Sequence, residues 1–201
     1  MTSSPISSHP WRRLIVALLL LLPLAGCAAV VGAGAGVGVA AVSERGVKTR
    51  AIDLKIEAAI LKEFLFTDIK SLTIIDVEVY EGRVLLTGTT TDTKLTDQAV
   101  ALSWKAAGVT EVINEVQLNK AGSATSYAKD TWITTQLTVK LALDKNVLSI
   151  NYAIETVNGV VYLIGIAQDK RELDRVIAHA GNIEFVRNVV NHVRIKAPAP
   201  S

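Results

Sequence analysis

The chain has 201 residues, of which 50% are hydrophobic, 20% charged and 5% aromatic, a composition of one or two small globular domains rather than of a disordered chain. Its formal charge of +2 includes Arg12 and Arg13, which lie in a segment expected to be removed; without them 19 basic residues face 19 acidic ones, so no global basic field is available to attract nucleic acid. One cysteine and three scattered histidines, His9, His179 and His192, exclude an internal disulfide framework and a multi-cysteine zinc site, and no cofactor is implied.

Residues 1–26 have the layout of a secretory signal peptide: basic Arg12-Arg13, an apolar run over 14–22, then small residues. Leu24-Ala25-Gly26-Cys27 resembles the bacterial lipobox, in which the cysteine is lipid-modified and becomes the new N-terminus. Lipoprotein sorting retains at the inner membrane those chains in which aspartate follows the cysteine; here Ala28 and Ala29 follow. The expectation is an outer-membrane protein, lipid-anchored at Cys27, with its body in the periplasm. Residues 28–41 are almost wholly Ala, Val and Gly, too glycine-rich and short for a spanning helix; they could extend the membrane contact as a short apolar segment or act as a flexible tether, and 27–50 is assigned to the lipidated cysteine and a tether with apolar adhesion.

The remainder is a duplication. Glu81-Gly82-Arg83-Val84-Leu85-Leu86-Thr87-Gly88 recurs as Asn158-Gly159-Val160-Val161-Tyr162-Leu163-Ile164-Gly165, and the paired glycines are separated by 77 positions. In the first copy Ile52, Ile56, Ile60 and Phe64 fall four apart, the period of an amphipathic helix. Thr73, Ile75, Val77 and Val79 alternate with Ile74, Asp76, Glu78 and Tyr80 as a strand with one buried face. Residues 83–87 form the next strand. A helix follows through Leu95, Ala99, Leu102 and Ala106, capped among residues 89–92 and ended by Gly108, and residues 112–118 make the last strand. Trp104 is expected to pack in the core or at its edge.

Residues 120–126 break both periodicities, and 120–130 is assigned as a short linker between domains that touch or stay close. In the second copy Asp130 is expected to cap a helix whose row Ile133, Leu137 and Leu141 faces the sheet, leaving Trp132 and Val139 outside that row. Ile150, Tyr152 and Ile154 alternate in a strand, Asn158-Gly159 has the composition of a tight hairpin turn, 169–180 is a helix and 186–195 the last strand. Gly181-Asn182-Ile183 is aligned with Gly108-Val109, and 197–201 is a tail.

These two copies resemble BON domains, small αββαβ modules of bacterial envelope proteins, over about 52–118 and 131–195. With the lipobox in front, the whole is similar to the dual-BON outer-membrane lipoproteins of the DolP type, whose second domain begins with a segment like Asp130-Thr131-Trp132-Ile133-Thr134-Thr135. The resemblance implies an α+β fold with tandem BON domains at 51–119 and 131–196. It also implies a non-enzymatic protein that binds anionic phospholipid, supports outer-membrane integrity and gathers near division sites. In that group the lipid contact lies on the first helix of the second domain, which carries over to Thr131, Trp132, Ile133, Thr135, Gln136, Val139 and Lys140. One departure bears on lipid selectivity: Gln136 and Thr138 are neutral, and only Lys129 and Lys140 flank the surface.

Two other functions compete. Asp169 with His179, or Glu172 with Asp174 and His179, share one helix and supply the residue types of acid–base catalysis, against the simpler reading of a solvated charged face. The alternative binding role is a protein-interaction scaffold for an envelope partner, with the lipid anchor serving only to localise it.

Overall fold

Both repeats are organised by a two-residue turn. Glu81 (φ 52°) with Gly82 (φ 73°), and Asn158 (φ 50°) with Gly159 (φ 73°), place both central residues in the left-handed region. That is the signature of a type I′ hairpin, whose twist matches its flanking strands. The computed structural model describes residues 45–67, 74–119 and 122–197; the signal peptide, Cys27, most of the assigned tether, Thr73, Lys120 and the last four residues lie outside them.

The first copy runs α1 (Gly46–Thr67), β1 (Ile75–Tyr80), β2 (Arg83–Gly88), α2 (Thr93–Ser103) and β3 (Glu111–Asn114). The second runs α3 (Ala124–Leu143), a 3₁₀ turn (Ser149–Asn151), β4 (Tyr152–Val157), β5 (Val160–Ala167), α4 (Lys170–Gly181) and β6 (Asn188–Ile195). Each sheet has three strands with the hairpin's second strand in the centre, antiparallel to β1 or β4 and parallel to β3 or β6. The α+β class and the tandem αββαβ order follow the sequence expectation. Among the described residues no helix is long and apolar enough to cross a membrane.

Side-chain alternation along a strand sends neighbours to opposite faces, and both faces of the central strands are used. Val84 and Leu86 join Ile56, Ile60 and Phe64 of α1 in one core; Val161 and Leu163 join Ile133, Leu137 and Leu141 of α3 in another. Ile52 stands outside its expected row and is exposed. The opposite faces build a third cluster around Tyr80, Leu85, Tyr162 and Ile164, in which the two sheets pack on each other. This explains why every residue of β2 is buried.

Polar bonds rim that contact. Arg83 donates to the His192 carbonyl at 2.8 Å and to Glu111 at 2.6 Å, and Arg194 reaches the same Glu111 oxygen at 2.9 Å. His192 meets Glu115 at 2.8 Å. The Gln117 amide donates to the Val157 carbonyl and the Tyr162 hydroxyl, and accepts from Asn158.

Several element ends differ from the sequence reading. Residues 46–50, assigned to the tether, already belong to α1, because Arg45 is held by Asp53, the Val79 carbonyl and the Tyr80 ring. Helix α3 begins within the assigned linker: Ser123 caps it by accepting from the Ser126 amide, and nothing in Ala124-Thr125-Ser126-Tyr127 forbids helix. Helix α2 ends at Ser103, not at Gly108, and half-exposed Trp104 is its C-terminal cap.

Edge strands β1 and β4 bring acidic groups to the sheet-to-sheet side. Burial pushes Glu155 up to about 7, and the charges of Asp76 and Glu78 add to this; burial raises Asp76 and Glu78 as well. A carboxyl whose folded pKa lies above its unfolded value stabilises fully below the unfolded value, and that contribution is lost as pH rises through the folded one. Glu155 therefore favours the fold most below pH ~4.5 and loses this contribution as pH rises through about 7. Glu155→Gln is expected to raise stability at pH 8 by about 1–2 kcal/mol, discounted for partial solvent access. Thermal melts from pH 5 to 8 check this, with a flatter pH profile in the variant.

Candidate functional site: the outer face of helix α3

Helix α3 is fixed to its domain by its inner row and by two polar ties. Ile133, Leu137 and Leu141 are fully buried. Asp130, the expected cap, instead lies well inside the helix, which Ser123 caps. Its carboxylate accepts from the amides of Asn158 and Gly159 at 2.8 and 2.7 Å, clamping the hairpin turn. Asp53 does the same 77 positions earlier, accepting from Glu81 and Gly82 at 3.0 Å each. Thr134 adds a hydroxyl bond to Thr156 at 2.8 Å.

The outer face is then defined. Thr131, Trp132, Thr135, Val139 and Lys140 are exposed and Gln136 is partly so. Ile133, expected among the contact residues, is at 0% exposure and belongs to the core: it is one position off the outward face, and the helical period turns it inward. Leu143, which the sequence reading left out of the contact set, is 77% exposed and extends the stripe Trp132, Gln136, Val139 at the same spacing. The hydroxyls of Thr131, Thr135 and Thr138 each donate to the carbonyl four residues back, at 3.0, 2.8 and 2.8 Å. Their hydrogen bonding is thus satisfied within the helix, and the face presents methyl groups with little demand for water.

Trp132 is 40% exposed and meets the edge of Phe185 at a centroid distance of 5.8 Å. Lys129 lies 4.9 Å over the same Phe185 ring. Lys129, Phe185, Arg187, Asp130, Asn158 and Gln117 line a groove of about 670 Å³ beside this end of α3. Phe185 and Arg187 were not legible as site residues. Their signal lies in the duplication, because the counterpart of Gly108 is Phe185 and not the Gly181 segment. Both have positive φ, 99° and 68°, and their carbonyl oxygens stand against the hairpin glycines Gly82 and Gly159 alike.

Each group considered for catalysis has a bonding partner within the fold. Asp169 caps α4 by accepting from the Glu172 amide at 2.9 Å, and buried Glu172 accepts from the amides of Leu148 and Gln168. Asp174 pairs with Lys170. His179 hydrogen-bonds Asp144 at 2.7 Å, which with the Asn146 amide holds that carboxyl at about 2, a permanent anion at the C-terminal cap of α3.

The BON domain family pattern matches residues 52–120 and 129–197. The chain belongs to the BON-domain family. It is 36% identical over 147 residues to an uncharacterized protein in the gshII 5′ region of Anaplasma centrale, covering 73% of this chain and 93% of that one. It is similar to the outer membrane lipoprotein DolP of Haemophilus influenzae, with 33% identity over 161 residues, 78% of this chain and 82% of that one. It is also similar to the osmotically-inducible protein Y of Escherichia coli, at 32% identity over 148 residues, 73% and 72% of the two chains.

Proposed function

We propose that this BON protein is a non-enzymatic outer-membrane lipoprotein of the cell envelope, anchored through Cys27, whose second domain contacts anionic phospholipid with the outer face of α3. The likeness to a protein named as an outer membrane lipoprotein supports the location, and the lipobox supports the anchor. The lipid contact is carried by one observation, the contrast between the two copies. Helices α1 and α3 share their buried row at the 77-residue offset; α1 also exposes apolar side chains, among them Ile52, Leu54 and Phe66, but at two matched outward positions it has Lys55 and Lys62 where α3 has Trp132 and Val139. This exchange of charge for apolar surface leaves the core untouched and lets Trp132, Val139 and Leu143 run as one exposed stripe along α3. Tryptophan with flanking lysines suits the headgroup level of a bilayer. Membrane integrity is the physiological role this contact would serve.

The test is vesicle co-sedimentation of the chain from Ser43 onward, which lacks the acyl anchor and retains every residue of the three buried clusters. Trp132→Glu is expected to lower partition onto phosphatidylglycerol-containing vesicles at least tenfold, as loss of an inserted aromatic and gain of a repelled charge require. Its melting temperature should stay close to the parent's, since Trp132 is outside the core. Unchanged binding would refute the lipid contact and favour the interaction-scaffold reading.

A further inference from the structure

We infer that the loop before β6 is a second membrane prong, in which Phe185 inserts beside Trp132 while Lys129 and Arg187 hold the phosphate of an anionic phospholipid. The inference rests on the reading of α3 as the membrane-facing helix. Its observation is backbone conformation. Phe185 has φ +68°, a region that a bulky side chain occupies only at a cost. The same position in the first copy is Gly108 at φ +99°, where that cost vanishes.

The second copy therefore keeps a strained aromatic where the fold asks only for glycine. The side chain does not serve the core in return, since it is 47% exposed. Strain retained at a surface aromatic points outward, to a ligand. The surroundings say which ligand. At the 77-residue offset, the second copy has Lys129 for Ile52, Trp132 for Lys55, Phe185 for Gly108 and Arg187 for Thr110. Four separate positions from two elements thus converge on a pair of aromatic rings flanked by two cations.

Neither cation forms an ion pair among the described residues; Lys129 lies over the Phe185 ring, and Arg187 makes only a 3.5 Å contact to the Asn158 carbonyl. Asp130 shares the groove, but its two oxygens are taken by the turn amides. Exposed Glu184 is outside the groove lining. Two cations without a carboxylate partner beside a groove and two rings at its rim match a phosphodiester headgroup whose glycerol and upper acyl chains meet the rings.

The same chain from Ser43 onward tests this with phosphatidylglycerol and with phosphatidylcholine vesicles. Phe185→Gly is expected to keep the melting temperature, because glycine suits the turn, and to lower partition about tenfold on both vesicle types, the effect of half a buried aromatic. Phe185→Asn, which also tolerates positive φ, should repeat this. Lys129→Gln and Arg187→Gln should each weaken binding to phosphatidylglycerol vesicles about fivefold, and to phosphatidylcholine vesicles less, because the choline cation offsets the phosphate charge there. Wild-type binding by the Phe185 and Arg187 variants, with Trp132→Glu still defective, would overturn this inference and leave the α3 reading intact. If Trp132→Glu binds normally as well, both are wrong.

Discussion

Gly165→Ala is expected to unfold the second domain. Gly165 lies in β5, the central strand, with φ +154°, and a Cβ built there would stand 2.0 Å from the Asn151 carbonyl oxygen and 3.0 Å from its carbon. Those are backbone atoms at the entry to β4, so no side-chain rotation can relieve the overlap. The 3₁₀ turn would have to separate from β5, opening the hydrogen-bonded start of the hairpin where Tyr152 pairs with Gly165. A loss of more than about 4 kcal/mol is expected, the range of a severe core disruption, with melting lowered by roughly 10 °C or more. Gly88→Ala should do the same to the first domain, since its Cβ would stand 2.0 Å from the Ile74 carbonyl oxygen. Gly181→Ala is the control: nothing lies within 4 Å of its Cβ position, and melting should change by less than about 2 °C. A Gly165→Ala protein melting with the control would contradict the hairpin packing described.

The second large effect is expected at Asp53. Its carboxylate is 1% exposed and accepts from the Glu81 amide, the Gly82 amide and Arg45 at 3.0, 3.0 and 3.1 Å. Removing it leaves two turn amides without their acceptor and a nearly buried guanidinium without its counter-ion, though still bonded to the Val79 carbonyl, and such losses cost more than the bonds themselves contributed. Asp53→Ala is expected to destabilise the first domain by about 3 kcal/mol, read as a shift in urea midpoint with unchanged slope. Asp130→Ala should cost less, since that carboxylate holds two turn amides but no buried cation. Equal, near-zero effects at both positions would mean that the turns hold themselves and that the helix-to-turn clamp is incidental.

The two aspartates also show what the sequence conceals. Rows such as Ile133, Leu137 and Leu141 and turns such as Asn158-Gly159 are local signals with fixed periods, and the αββαβ order was legible from them. A helix aspartate that reaches a turn nearly thirty residues away has no local period. Asp130 therefore reads as a cap, when the cap is Ser123. The sheet-on-sheet core was half visible: Val84-Leu85-Leu86 and the 160–164 run are continuous apolar stretches, as strands buried on both faces are. Which surface covers the second face required the fold. Trp132 was legible as an outward tryptophan, and Ile133 beside it needed burial to be separated from it. Phe185 was concealed because aligning glycine with glycine is the natural choice; only the backbone shows that a phenylalanine occupies the glycine's conformation.

Phospholipid is expected to meet α3 and its neighbouring loop rather than the first domain. Amide resonances of the chain from Ser43 onward, recorded with phosphatidylglycerol nanodiscs that carry a paramagnetic headgroup label, locate that contact directly. Broadening should be confined to residues near 129–143 and 184–187, with α1 and β3 unaffected. Broadening centred on α1, or none at all with the protein demonstrably folded, would contradict it.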